Sequence, residues 1–226
     1  MHLRNLHAWD VTPMEAIALQ KSLSSQIQYE MPLDWAGIRT VAGVDVSVKT
    51  NPDTQQVMSH AAVVVMSFPE LQVLEVATAL MPTPFPYIPG LLSFREGPVL
   101  VQAFAALQQA PDVLIFDGMG RAHPRRIGIA SHMGLWLDKP TIGCGKTHLL
   151  GTFAPVPEER GGASELIDKG EVIGVVLRTR ANVKPVYISV GHRADLATAV
   201  DLILRCTTKY RLPDPIRAAH NAAGAF

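Results

Sequence analysis

The run Thr40-Val41-Ala42-Gly43-Val44-Asp45-Val46-Ser47-Val48-Lys49 decides the fold. Val44, Val46 and Val48 alternate with small or polar residues, the period-two pattern of a strand whose two faces differ. Two further β-branched runs follow, Val57 to Phe68 and Gln72 to Leu80. Their links are short: the turn cluster Thr50-Asn51-Pro52-Asp53-Thr54, then Pro69-Glu70-Leu71. Short links between successive strands predict an antiparallel meander. Upstream, Thr12-Pro13-Met14-Glu15 combines a capping Thr, a Pro in the first turn and a Glu at capping-box spacing, so a helix starts there. Downstream, Val99 to Gln109 reads as a helix, and Asp112-Val113-Leu114-Ile115-Phe116-Asp117 is apolar on both faces, as a central parallel strand is. A helix around Ile127 to Leu137, a strand Thr141 to Cys144, mostly loop from Gly145 to Gly170, strands Val172 to Arg178 and Val186 to Val190, and helices Asp195 to Lys209 and Pro215 to Ala223 complete the order. A meander followed by alternating helices and parallel strands predicts an α/β fold, with one mixed sheet covered by helices on both faces. In such sheets ligands gather at strand ends, near the point where the order reverses.

The length of 226 residues predicts a single domain spanning 1–226, large enough to bury about 70% of its unfolded surface without disulfides. The apolar runs fall short of the roughly 20 residues that span a bilayer, so no membrane is expected as a partner. Met1-His2-Leu3-Arg4-Asn5 has no apolar core of a secretory signal, and the two cysteines, Cys144 and Cys206, lie in apolar segments. Both features predict a cytoplasmic protein with free, buried thiols. Lys plus Arg and Asp plus Glu each number 20, and this zero balance argues against a nucleic-acid partner.

Three acids stand out by position. Asp45 interrupts a valine-rich strand, where the plain alternative is an acid on a half-exposed face. Asp117 ends the most apolar strand and precedes Gly118, as a turn Asp also does. Glu96 lies in Ser93-Phe94-Arg95-Glu96-Gly97-Pro98, where Ser93 and Glu96 have capping-box spacing; Pro98 instead favours a helix that begins nearer Gly97, with Glu96 at its mouth. In the predicted sheet the three converge. Clustered carboxylates repel unless a cation lies between them. Oxygen donors suit Mg²⁺ or Mn²⁺, which share their site with a substrate phosphate, so metal-assisted phosphodiester hydrolysis is the implied chemistry.

The surroundings are cationic and small. Gly118-Met119-Gly120-Arg121-Ala122-His123-Pro124-Arg125-Arg126 reads as a flexible basic loop able to hold a phosphate. Lys146 follows the next strand, and His220 sits in the last helix, where it could equally stabilise a helix end as a cation. In Pro82-Thr83-Pro84-Phe85-Pro86-Tyr87-Ile88-Pro89-Gly90, prolines stiffen the chain and present Phe85, Tyr87 and Ile88 as an apolar wedge for a base stack. The same spacing suits a polyproline ligand. Gly145-Lys146-Thr147 looks like the end of a phosphate-binding P-loop, but Pro140 stands where its first glycine belongs, so a nucleotide triphosphatase is disfavoured. A nucleic-acid-binding module without catalysis is a further alternative, opposed by the intact acidic trio.

These segments resemble endonuclease V. The resemblance rests on Val41-Ala42-Gly43-Val44-Asp45-Val46-Ser47, Pro86 through Glu96, Asp117-Gly118-Met119-Gly120 with Ala122-His123-Pro124-Arg125-Arg126, Gly143-Cys144-Gly145-Lys146, and Tyr210-Arg211-Leu212-Pro213-Asp214-Pro215 with Arg217 and His220. It implies a ribonuclease H-like fold and cleavage at the second phosphodiester 3′ to inosine, leaving 3′-hydroxyl and 5′-phosphate. The implied substrate is DNA containing deoxyinosine, with inosine-containing RNA a further candidate, and the implied enzyme is a monomer. By resemblance Asp45 and Asp117 hold Mg²⁺, which Mn²⁺ can replace, Glu96 completes the acidic site and His220 assists. Pro86, Tyr87, Ile88 and Pro89 form the wedge; Gly90, Gly118, Gly120 and His123 border the lesion pocket or its strand; Lys146 contacts the substrate near the metal. Met119 departs from many relatives, which carry a polar residue there. The neutral balance then becomes a sum over unlike regions, with Arg121, Arg125, Arg126, Lys146, Arg193 and Arg217 expected to gather on the working face.

Overall fold

The computed structural model describes residues 1–225. The helices are α1 (Pro13–Ser24), α2 (Leu92–Ala106), α3 (Ile129–Leu137), α4 (Leu196–Arg205) and α5 (Asp214–Gly224). The meander is formed by β1 (Thr40–Thr50), β2 (Val57–Ser67) and β3 (Val73–Pro82), paired antiparallel with Asp45 opposite Ala62 and Ala61 opposite Ala79. β4 (Val113–Phe116) joins the other edge of β1 in parallel, and β5 (Thr141–Gly145) joins β4 in parallel. β6 (Ala163–Asp168), β7 (Glu171–Leu177) and β8 (Val186–His192) pair antiparallel, and β8 docks antiparallel on β5. The result is one eight-stranded sheet in the order β3-β2-β1-β4-β5-β8-β7-β6.

Alternation along β4 explains both helical layers. Val113 and Ile115 point into one core, with Leu202 and Ile203 of α4 and Ile216 of α5. Leu114 and Phe116 point into the other, with Leu100 and Phe104 of α2 and Met133 and Trp136 of α3. All four strand residues are buried, so each large side chain contributes on the order of 1.5–3 kcal/mol of transfer free energy. Cys144 and Cys206 are free and buried, as expected. No helix among the described residues is long and apolar enough to cross a membrane.

Two elements differ from the sequence expectation. β6 lies in a stretch read as loop: it is an edge strand in which Leu166 alone is buried, so it lacks the apolar alternation that marks a strand. α2 begins at Leu92, seven residues before the expected Val99, and Pro98 stands inside it. Packing of the first turn outweighs the lost backbone bond. Phe94 is fully buried, and Gly97 lets the Trp9 indole lie so close that a Cβ would overlap it. Ser93 caps nothing, because the helix starts without a side-chain cap.

Candidate active site

Register places the two acids together. Val44 of β1 is paired with Phe116 of β4 in parallel, and the Asp117 N–H donates to the Val44 carbonyl at 2.9 Å. The next residue on each chain segment is therefore an aspartate: Asp45 lies midway along β1, and Asp117 lies just past the carboxyl end of the adjacent parallel strand β4. Asp45 Oδ1 accepts from the Val46 N–H at 2.9 Å, which fixes the carboxylate.

Gly43 brings the third group. α5 crosses β1 so closely that a Cβ on Gly43 would overlap the Pro215 carbonyl. From that crossing the helix continues to Gly224, and His220 falls in its body, not at its end. His220 Nδ1 donates to Asp45 Oδ2 at 2.7 Å. One donor atom from each of Asp45, Asp117 and His220 lies within 4.8 Å of the others. Two carboxylates at that separation suit a hard divalent cation, with the imidazole beside them bonded to Asp45.

Glu96 stands within reach of the same field without joining that donor group. Burial, then the charges of Asp45 and Asp117, push its carboxyl up to about 8. Burial and Asp45 also raise Asp117, against the pull of the Lys146 ammonium, which forms an ion pair with Asp117 Oδ2. Crowded carboxylates of this kind call for added positive charge. One consequence is measurable. Unfolded Glu96 ionises near its ordinary value, whereas the folded chain keeps the proton to about pH 8, so the folded state binds more protons across that window. Stability of the metal-free protein therefore falls as pH rises through it. In EDTA the melting temperature is expected to drop by several degrees from about pH 5 to about pH 8.5, and Glu96→Gln to flatten the slope. An unchanged slope in that variant contradicts the assignment.

Beside the acids lies a cavity of about 410 Å³, lined by Tyr87, Ile88 and Gly90 on one side, Ser93 at the start of α2, and Asp117, Gly118, Met119, His123 and Lys146 on the other. The proline-rich segment projects at its rim. Tyr87 is 70% exposed, whereas Phe85, expected in the wedge, is buried against Leu91 and Phe94 and anchors it instead. Arg95 Nη1 donates to the Phe85 carbonyl at 2.9 Å, tying wedge to helix. Gly90 turns the chain back with φ of +79°, a conformation that favours glycine. Its carbonyl accepts from Gln20 Nε2 at 3.0 Å, Arg125 Nη2 at 2.6 Å and His123 Nε2 at 3.0 Å. His123 Nδ1 accepts from the Arg125 N–H, and burial holds the ring neutral, with its pKa near 4.

The loop after Asp117 is packed, not flexible. The Gly120 N–H donates to Ser189 Oγ at 2.9 Å and the Arg121 N–H to the Val190 carbonyl at 2.7 Å. Gly120 thus sits against β8, behind the cavity wall, and Gly118 forms the wall itself. Met119 packs with Ala122, Leu166 and Ile173 and gives the cavity an apolar side. The expected cationic face is also reduced. Arg126 is bound to Glu171 and Asp168, Arg121 pairs with Glu171 and lies over Tyr29, and Arg193 binds Asp138, next to the amino end of β5. Arg217 stacks on Tyr210 at 3.5 Å. Lys146 remains at the site, its backbone held by Arg211 Nη2, which donates to the Lys146 carbonyl at 2.6 Å. Along the sequence Gln20 has no role, Ser93 is a candidate helix cap and Arg211 stands in a motif without a role, because only tertiary contacts bring them to the site. β5 includes residues 141–145 as strand, which removes the P-loop alternative.

The endonuclease V family model matches residues 21–221. An endonuclease V of Methanothrix thermoacetophila is 48% identical over 220 residues, 97% of this chain and 94% of its own. The solved endonuclease V of Bacillus subtilis matches with a TM-score of 0.94 at 30% identity, covering 99% of this chain and 96% of that one. That of Ciona intestinalis, in complex with a 24mer DNA containing an inosine followed by a ribo-adenosine, matches with a TM-score of 0.82 at 27% identity, covering 93% and 95%. The mixed sheet and its helical layers are thus the ribonuclease H-like fold, as expected. A family match over most of the length and a relative of nearly half identity over almost all of it show that this chain belongs to the endonuclease V family.

Proposed function

We propose that this chain is a Mg²⁺-dependent DNA repair endonuclease that recognises inosine and cuts the second phosphodiester on its 3′ side, leaving 3′-hydroxyl and 5′-phosphate. The observation that carries this reading is one cavity bounded by an exposed aromatic wedge and by the acid-bearing strand end. Its volume of about 410 Å³ falls in the range of small-molecule pockets and accepts a single purine. The Ciona relative bound to inosine-containing DNA supports the choice of lesion.

Asp45 and Asp117, with His220 beside them, would hold the ion. When bound, Mg²⁺ supplies an activated water and neutralises charge on the leaving oxygen, and Mn²⁺ supplies the same chemistry. The chain does the rest. Tyr87 fills the stack that the extruded base vacates, its segment already stiffened by prolines and anchored through Phe85 and Arg95. Flipping costs a few kcal/mol and least at a poorly paired base, which favours inosine over normal pairs. Gly118 lets backbone approach the base, Met119 supplies an apolar wall, and the Lys146 ammonium faces the phosphate.

Incubation with an end-labelled inosine duplex and Mg²⁺ tests the proposal. It predicts one nick, one nucleotide beyond the lesion, absent in EDTA. Cutting at random positions, or none in either Mg²⁺ or Mn²⁺, overturns it. Inosine-containing single-stranded RNA offers the same base to the same cavity and belongs in the assay. Tyr87→Ala is expected to weaken binding to inosine duplex by about tenfold or more, with metal affinity unchanged. Equal binding of wild type to inosine and undamaged duplex removes the role of the wedge.

A further inference from the structure

A chain of hydrogen bonds runs from the N-terminal arm, where it is exposed, to a buried link at the cavity wall, and gives Ser93 a fixed polarity. His7 Nδ1 donates to the Ala8 carbonyl at 2.8 Å, and the Trp136 indole N–H is directed at His7 Nε2 at 3.4 Å. A carbonyl only accepts and an indole only donates, so His7 Nε2 is an acceptor. His132 Nε2, 2.7 Å away, therefore donates to it. His132 Nδ1 is left as an acceptor, and Ser93 Oγ, 2.9 Å away, gives it the only proton the hydroxyl has. His132 is fully buried and Ser93 is 2% exposed. Burial pushes His132 down to about 3, and partial burial also lowers His7 against the pull of its bond to the Ala8 carbonyl, so both favour the neutral ring.

We propose that Ser93 reads the deaminated base: with its proton committed to His132, the oxygen offers only lone pairs to the cavity and accepts a hydrogen bond from N1–H of hypoxanthine, a group that adenine lacks. This rests on the inosine-directed reading above. Adenine presents a bare lone pair at N1, and two acceptors facing each other leave both unsatisfied. Deamination reverses that one position from acceptor to donor. The start of α2 carries no side-chain cap, and Leu92 and Ser93 line the cavity there, so the first helical N–H groups complement the new oxygen at C6. His7 and His132 are positioning residues: they orient the Ser93 hydroxyl from outside the cavity wall.

Single-turnover cleavage of two duplexes tests this, one with inosine and one with 1-deazainosine, which keeps the fused-ring shape and an oxygen at C6 but carries carbon at position 1, its exchangeable proton moving to N3 or to that oxygen. Wild type is expected to prefer inosine by about tenfold, the worth of one neutral hydrogen bond in a dry site. Ser93→Ala is expected to cut both at the lower rate, erasing the preference. His7→Phe, remote from the base, removes the acceptor that polarises the chain and is expected to shrink the preference in the same direction. Wild type cutting both duplexes equally, or Ser93→Ala slowing both by one factor with the preference intact, overturns the assignment. So does Ser93→Ala with wild-type rates on both. Failure of wild type to cut inosine at all rejects the parent reading instead, so the two failures are distinct.

Discussion

Alanine at Asp45 or at Asp117 is expected to lower cleavage at inosine by about 10³-fold or more while leaving affinity for the inosine duplex within a few-fold of wild type. Asp45 in the middle of β1 lies beside Asp117 at the end of the parallel strand β4, and with His220 they bring donor atoms within 4.8 Å of one another. Removing either leaves too few ligands to hold a weakly bound hard cation in place. The wedge stands on another element, the 86–90 segment, and Asp117 is one of many residues that line the cavity, so recognition survives. Quantitative binding by fluorescence anisotropy, beside single-turnover rates, separates the two effects. Rates within tenfold of wild type in either variant place the ion elsewhere.

The second large effect is structural in origin. Gly43→Ala inserts a Cβ where the Pro215 carbonyl already lies, and that neighbour is backbone, which cannot rotate away. Either α5 lifts from the sheet or β1 bends, at a cost of about 1–3 kcal/mol or more. Lifting α5 also breaks the 2.7 Å bond from His220 to Asp45. We expect a melting point lower by several degrees and cleavage reduced by more than His220→Ala alone, because Asp45 loses its support as well. A Gly43→Ala protein with wild-type stability and rate shows that the helix is not seated by this contact.

The acids were legible in the sequence because an aspartate is conspicuous within or at the end of an apolar strand, and Asp45 and Asp117 are each set off by valines or by Val-Leu-Ile-Phe. The meander was legible for a similar reason: its links are too short to cross over. The start of α2 was not, since Pro98 argues locally for a later start and only the tertiary burial of Phe94 and the Trp9–Gly97 contact reverse it. β6 is a polar edge strand with a single buried residue. The cations are the clearest failure. A basic loop read along the chain gives no sign that Arg121 and Arg126 are spent on Glu171 and Asp168, 42 to 50 residues away. With those charges paired internally, the neutral composition carries more meaning than a cluster of arginines suggested. Affinity for undamaged duplex should be modest and its salt dependence shallow, because few cations are left to neutralise phosphates, with selectivity resting on the cavity and the wedge. The polarity of Ser93 was beyond any local reading, because it is set by His7 and Trp136 from distant parts of the chain.

The most direct measurement is a crystal of this chain with inosine-containing DNA and Mn²⁺, read by anomalous scattering. The account predicts an anomalous peak between Asp45 and Asp117, the hypoxanthine extruded into the cavity beside Ser93 and Gly118, and Tyr87 in the gap left behind. A peak remote from both aspartates, or an inosine still stacked within the duplex, contradicts it.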